Sequence, residues 1–225
     1  MLLFTSGKAW AQKGSNTDYV LGKLDSIRKS PSVSRHFANI YFETVVGAIH
    51  FFSTADSRVQ NLIDRMGKRF ADYFFRSVNA YENKTLVPSE WKAYYADGNA
   101  PGLRYILFGI NAHINGDIWQ ALVNEFSLEE IRELKPAYNL YQKELLKEYG
   151  RIYDEALASS SKIKLLHTVS FGFDKLYGKI LLRRWRKRQI ELAELYYTNK
   201  PQFEKKLGKL RRKMDRLNEL IRKHV

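Results

Sequence analysis

The chain has 225 residues, of which 44% are apolar, 14% aromatic and 28% charged. That balance is enough to bury a ring-rich core and argues against disorder over most of the length. Cysteine is absent, which excludes disulfides, thiolate nucleophiles and zinc–thiolate sites. No run approaches the roughly eighteen apolar residues of a membrane span. The opening Leu2, Leu3 and Phe4 are too short a run for the core of a signal peptide, so no transmembrane segment and a cytoplasmic location are expected. The formal charge is +14, but residues 1–160 carry 19 Lys+Arg against 18 Asp+Glu, whereas residues 161–225 carry 19 against 6. The excess therefore concerns partners of the last quarter rather than the fold.

Only five prolines and thirteen glycines punctuate the chain, which favours long helices. Asn16 or Thr17 is placed to cap a first helix reaching Lys29, ended by Ser30-Pro31-Ser32. A second helix is expected from Val33 to Phe52. A third spans Asp56 to Glu82, with Leu62, Met66, Phe70, Tyr73 and Phe74 at helical spacing. Pro88 to Trp91 starts a short helix that Asp97-Gly98 closes, and Asn99 to Gly102 forms a loop. The next helix, Leu103 to Phe126, is apolar almost all round. Ser127 and Glu130 form a capping-box pattern, and Pro136 is expected to begin a long helix to Ala158. Ser159 to Ser161 reads as a linker. Two helices fill 162–198 with a break at Ser170–Gly172, and Asn199-Lys200-Pro201 precedes a final charged helix to His224. The expected fold is all-α: a bundle of eight to nine helices around a buried central helix. Its division is a helical domain over 1–198 and a basic C-terminal helix over 199–225.

On the Leu103–Phe126 helix, Ile106, Ile110, His113, Asp117 and Ala121 share one stripe, and Phe108, Asn111, Asn115 and Leu122 share the opposite one. Both stripes are rich in apolar residues, so neither is a solvated face, and four polar side chains are expected to be buried. Each then needs a partner, because an unsatisfied buried polar group costs about 1–3 kcal/mol. His113 and Asp117, at i and i+4, meet on one face. Their spacing fits a structural hydrogen bond. It fits equally a metal pair or a catalytic His113 oriented by Asp117.

The run Ile110-Asn111-Ala112-His113-Ile114-Asn115-Gly116-Asp117 resembles the signature of a family known as domain of unknown function 5995. Phe37 to Phe42, Phe70 to Phe74, Trp91 and Arg184 to Arg188 are similar to further elements of that family, so the resemblance covers roughly residues 34–198. It implies an all-α domain and no established activity. His113 to Gln120 also faintly resembles the His-x-x-Gly-Asp-x-His-Gln run of helical zinc phospholipases and single-strand nucleases. Trp119 stands here where that run has its second histidine. With five histidines in the chain, the resemblance implies at most a reduced one-metal site.

Other candidates are sparser. His36, Glu43 and His50 recur every seven residues on the second helix. Because seven residues span about 10.5 Å of helix axis, His36 and His50 cannot share one ion. Asp72 and Arg76 are spaced to pair, and His167 sits among apolar neighbours. No nucleophile elbow, phosphate loop or dinucleotide fingerprint is present.

The C-terminal quarter carries Arg183, Arg184, Arg186, Lys187 and Arg188 in one helix. In the next, Lys205, Lys206, Lys209, Arg211, Arg212, Lys213 and Arg216 lie behind an apolar face of Phe203, Leu207, Leu210, Met214, Leu217 and Ile221. This pattern suits a polyanion (nucleic acid, anionic lipid or an acidic partner) or a packed terminal helix with a solvated back.

Three functional expectations follow. The first is an enzyme-like domain with His113, Asp117, Asn111 and Asn115 around a cavity, joined by Tyr41 and Arg186. His113 and Asp117 would then be ligands of a divalent metal such as zinc, and a phosphoester or other small molecule would be hydrolysed. The second is a binding module that uses the basic C-terminal helix. The third makes the polar quartet purely structural.

Overall fold

A computed structural model describes residues 16–159 and 173–225 apart from Asp97 and Asn99, with side chains described over 16–146 and 182–225 outside those two positions. The readings made for the N-terminal segment, Asp97, Asn99, Ser160–Ser161, His167 and the break at Ser170–Gly172 lie outside the described residues. Every regular element among the described residues is helical, as the sparse breakers predict.

The first helix, α1 (Asn16–Lys29), takes its N-terminal support from a distant carboxylate. Asp64 accepts from the Thr17 backbone N–H at 3.0 Å, the Thr17 hydroxyl at 2.7 Å and the Asn16 amide at 2.8 Å. Helix α2 (Arg35–Phe52) follows, then α3 (Ser57–Glu82). Asp56 caps α3 by accepting from the Val59 N–H at 2.9 Å, satisfying one of the donors that a helix start leaves free. Lys84 turns the chain with φ 54°, leading to a 3-10 turn (Ser89–Trp91) and the single-turn α4 (Lys92–Tyr95).

The predicted central helix is not uniform. It runs as α5 (Gly102–Ile110), a π-helical segment (Asn111–Asp117) and α6 (Ile118–Glu125). Helix α7 (Leu128–Ser159) starts earlier than expected and carries Pro136 inside it. The reason is the reciprocal cap ahead of it. The Glu130 N–H donates to the Ser127 hydroxyl at 3.2 Å, and the Ser127 N–H donates to the Glu130 carboxylate at 3.1 Å. Helices α8 (Phe173–Thr198) and α9 (Lys200–His224) complete the described chain. Asn199 caps α9 by accepting from the Gln202 N–H at 3.0 Å, with Pro201 in the first turn where its missing N–H is harmless.

Three apolar clusters hold these helices, and the central run touches all of them. The first joins Phe37, Phe74, Trp91, Tyr94, Tyr105 and Phe108 to Ala112 and to Ile221 of α9. The second joins Leu62 of α3 to Ile118 and Leu122 of α6, Leu134 of α7 and Ile190 of α8. The third joins Leu192 of α8 to Phe203, Leu210 and Met214 of α9, with Trp119 packed against it. Each large side chain buried in this way contributes about 1.5–3 kcal/mol. Helix α9 thus packs by its apolar stripe, and Lys205, Lys209, Arg211, Arg212, Lys213 and Arg216 are exposed on its back.

The central run approaches its neighbours so closely that two glycines are required on it. A Cβ on Gly109 would lie 2.4 Å from a ring carbon of Phe37, and one on Gly116 would lie 2.6 Å from Cγ of Glu90. Gly109→Ala is therefore expected to destabilise the fold by about 1–3 kcal/mol through overpacking. Gly22→Ala on α1, where nothing stands within 4 Å, is expected to stabilise it by about 0.5–1 kcal/mol. Denaturant unfolding of the two variants checks the contrast. Equal effects would contradict the close approach.

Candidate functional site

All four polar side chains singled out on the central run are buried, with exposures of 1% for Asn111, 3% for His113, 2% for Asn115 and 1% for Asp117. They form two i, i+4 pairs inside the π segment. Nδ1 of His113 lies 2.8 Å from Oδ2 of Asp117, and the same oxygen accepts from the Trp91 indole N–H at 3.0 Å. On the other pair, the Asn115 amide donates to Oδ1 of Asn111 at 2.9 Å. The Asn111 amide then donates to α9, reaching the Met214 carbonyl at 3.1 Å and Oδ1 of Asn218 at 2.8 Å. The central run is therefore bonded to the 3-10 turn through one pair and to α9 through the other.

His113 is enclosed by rings. Phe70 stacks on it with centroids 3.5 Å apart and planes 10° from parallel. Tyr41 meets it edgewise at 4.5 Å, and Phe37 and Trp91 close the remaining sides at 5.4 and 6.0 Å. Nε2 is buried and has no hydrogen-bond partner among the described residues. Burial holds the imidazole well below its usual range, and the positive field of Arg186 adds to that. Burial pushes the Asp117 carboxyl well above its usual range; the Trp91 hydrogen bond opposes this and the Glu90 charge reinforces it. Both directions describe one state, an electroneutral pair sharing a single proton between Nδ1 and Oδ2.

Asp117, taken alone, keeps a proton that the unfolded chain loses above pH 3.8, so its contribution falls as pH rises through and beyond that value. His113 refuses a proton that the unfolded chain accepts below pH 6.5, so its contribution falls as pH drops below that value. Between the two the effects cancel. Outside that window stability is lost on both sides, at up to about 1.4 kcal/mol per pH unit. Asp117→Asn removes one partner of this balance. The variant is expected to lose the alkaline-side decline and to begin its acid-side decline near pH 6.5 instead of near pH 3.8. Unfolding free energies across pH 3 to 9 provide the check, and an unchanged profile would refute the shared proton.

The remaining two predicted site residues stand together at a cavity. A mostly apolar space of about 120 Å³ lies between α2, α3, α7 and α8, and both Tyr41 and Arg186 line it. The polar quartet does not line it. Tyr41 and Phe70 form its wall and pack on His113 from behind. Burial pushes the Tyr41 phenol well above its usual range, so it stays protonated. Two tyrosines of α7 tie the chamber together. Tyr141 donates to the Thr44 carbonyl of α2 at 2.9 Å, and Tyr138 donates to the Arg186 carbonyl of α8 at 3.2 Å.

Other sequence candidates resolve into structural roles. Asp72 pairs with Lys68 at 2.7 Å, while Arg76 donates to the Asp72 backbone carbonyl instead. His36 stacks on Tyr105 with centroids 5.4 Å apart, and Glu43 faces Arg28. Among the described residues no three histidine or carboxylate side chains are grouped to hold a metal. Sequence reasoning did not find Asn218, the indole bond of Trp91 to Asp117, or the chamber residues Tyr138 and Tyr141. The one available signal for Asn218 was a polar residue next to Leu217 at the edge of the apolar stripe of α9.

No curated protein matches this chain, and no solved structure does. A family model described as "Family of unknown function (DUF5995)" matches residues 18–224. That match spans nearly the whole chain and agrees with the resemblance of the Asn111–Asp117 run: the chain belongs to this family.

Proposed function

We propose that this chain is a small-molecule-binding domain whose ligand chamber is the apolar cavity between α2, α3, α7 and α8. The observation that carries the reading is the chamber itself. It has about 120 Å³ of space lined by Tyr41, Phe52, Met66, Phe70 and Tyr138, with Arg186 on its wall. Proteins are close-packed, and an apolar recess of this size forfeits contacts along its walls unless something fills it. An apolar cavity of about 150 Å³ admits one benzene ring, so the chamber suits a ligand of that scale.

The polar quartet serves this function as a brace. Its two hydrogen-bonded pairs tie the central run to the 3-10 turn and to α9, and His113 backs the two rings that form the chamber wall. The metal-dependent hydrolase reading has weaker support, because His113 meets the chamber only through Tyr41 and Phe70, and Asp117 already occupies its Nδ1. The polyanion reading of α9 stands on charge alone, whereas the chamber joins a concave apolar lining to a cation on its wall.

Toluene is expected to raise the thermal midpoint of the protein in a saturable manner. Ala48→Phe, which places a ring on a chamber-lining position, is expected to abolish that rise while leaving a folded helical protein. A thermal shift series with the two proteins decides the matter, and toluene insensitivity of the parent protein would overturn the chamber as a binding site.

A further inference from the structure

Arg186 is only 8% exposed, and its Nε is buried with no hydrogen-bond partner among the described residues. No carboxylate among the described residues lies within ion-pair distance of it. The guanidinium rests on the face of Tyr138, 4.3 Å from the ring centroid. An arginine does not escape burial by losing its proton. A buried cation without an anion is costly, and the stacking on Tyr138 offsets only part of that cost.

The backbone around this side chain is firmly held. The Arg186 carbonyl accepts from Tyr138, and the Arg183 carbonyl accepts from Gln142 at 3.0 Å. The fold therefore keeps a guanidinium at the wall of the chamber with no anion beside it among the described residues.

We infer that the chamber takes an amphipathic monocarboxylate, with its apolar body of about ring size in the cavity and its carboxylate on the guanidinium of Arg186. This rests on the reading of the cavity as a ligand chamber. A planar guanidinium presents paired N–H donors that match the two oxygens of a carboxylate. The body of such a ligand would pack against Phe52, Met66 and Phe70.

A dianion such as a phosphoester fits less well. Arg186 is the one cation among the described residues that line the chamber, and Asp64 also lines it. That aspartate is held by Asn16 and Thr17, so it is fixed in place and repels a second negative charge.

The probes are benzoate, its neutral isostere benzamide, and toluene, titrated by calorimetry and thermal shift into the full chain. Benzoate is expected to bind the parent protein at least tenfold more tightly than benzamide. Arg186→Met is expected to weaken benzoate at least tenfold, to change toluene binding less than threefold, and to raise the thermal midpoint of the ligand-free protein. Arg186→Lys keeps the charge, loses the fork and is expected to fall between.

Toluene binding with no preference for benzoate over benzamide would overturn the carboxylate anchor and leave the chamber standing. A lower midpoint for Arg186→Met, or failure of that variant to fold, would show that the guanidinium is already satisfied within the fold and would also overturn the anchor. Absence of binding by all three probes would remove the chamber and the anchor together.

Discussion

The hydrogen bond between His113 and Asp117 is the contact on which the central run is organised. It closes within one turn, so it needs nothing from elsewhere to form, yet its carboxyl oxygen also takes the indole N–H of Trp91. That second bond ties the 3-10 turn to the middle of the protein. The imidazole in turn gives Phe70 a flat partner and Tyr41 an edge to rest on. Because two polar groups are buried together, each removes the desolvation cost of leaving the other alone. The same pair with one member missing would leave a buried carboxyl or imidazole without its match. The parallel pair, Asn115 to Asn111, extends the logic to α9 through the Met214 carbonyl and Asn218.

From this brace follows the separation of two roles within one helical layer. On one side of Phe70 and Tyr41 lies a dry polar pair with its bonds largely made. On the other lies an apolar space with a guanidinium at its wall. Rings on the shared wall keep the two apart, so the titrating pair is not in contact with whatever enters the chamber. Arg186 still communicates across it, since its positive field contributes to keeping His113 neutral.

Much of this was legible in the residues. The positions Ile106, Ile110, Ala121 and Leu122 around His113, Asp117, Asn111 and Asn115 showed a helix apolar on both stripes, and the four polar groups are indeed buried. The cap at Ser127 was readable because its partner Glu130 lies three residues away. Pro136 misled, because a proline in the middle of a helix looks like a start when the true cap precedes it. The distant partners were hidden for a different reason. Asp64 supports α1 from 47 residues away, and Asn218 meets Asn111 from 107 residues away. Such pairings depend on how helices cross, which a local period does not encode. The chamber was illegible, since Tyr41 and Arg186 were nominated for a cavity around the polar quartet, which does not line this one, and its other walls come mostly from ordinary apolar positions.

The π-helical stretch from Asn111 to Asp117 has one more consequence. Wide turns of this kind close i to i+5 and occur mostly as short interruptions of an α-helix. They lodge an extra residue in the coil, and so set the rotational phase of everything downstream. In ordinary winding the same number of residues would carry α6 about 100° further round its axis. Trp119 would then leave Phe203, whose ring it meets at 5.3 Å, and Ile118 would leave Leu62. What is specified between Ile110 and Ile118 is therefore the winding of the backbone as much as the residues on it, and a replacement that restored α-helical winding without removing a residue would turn α6 off its partners.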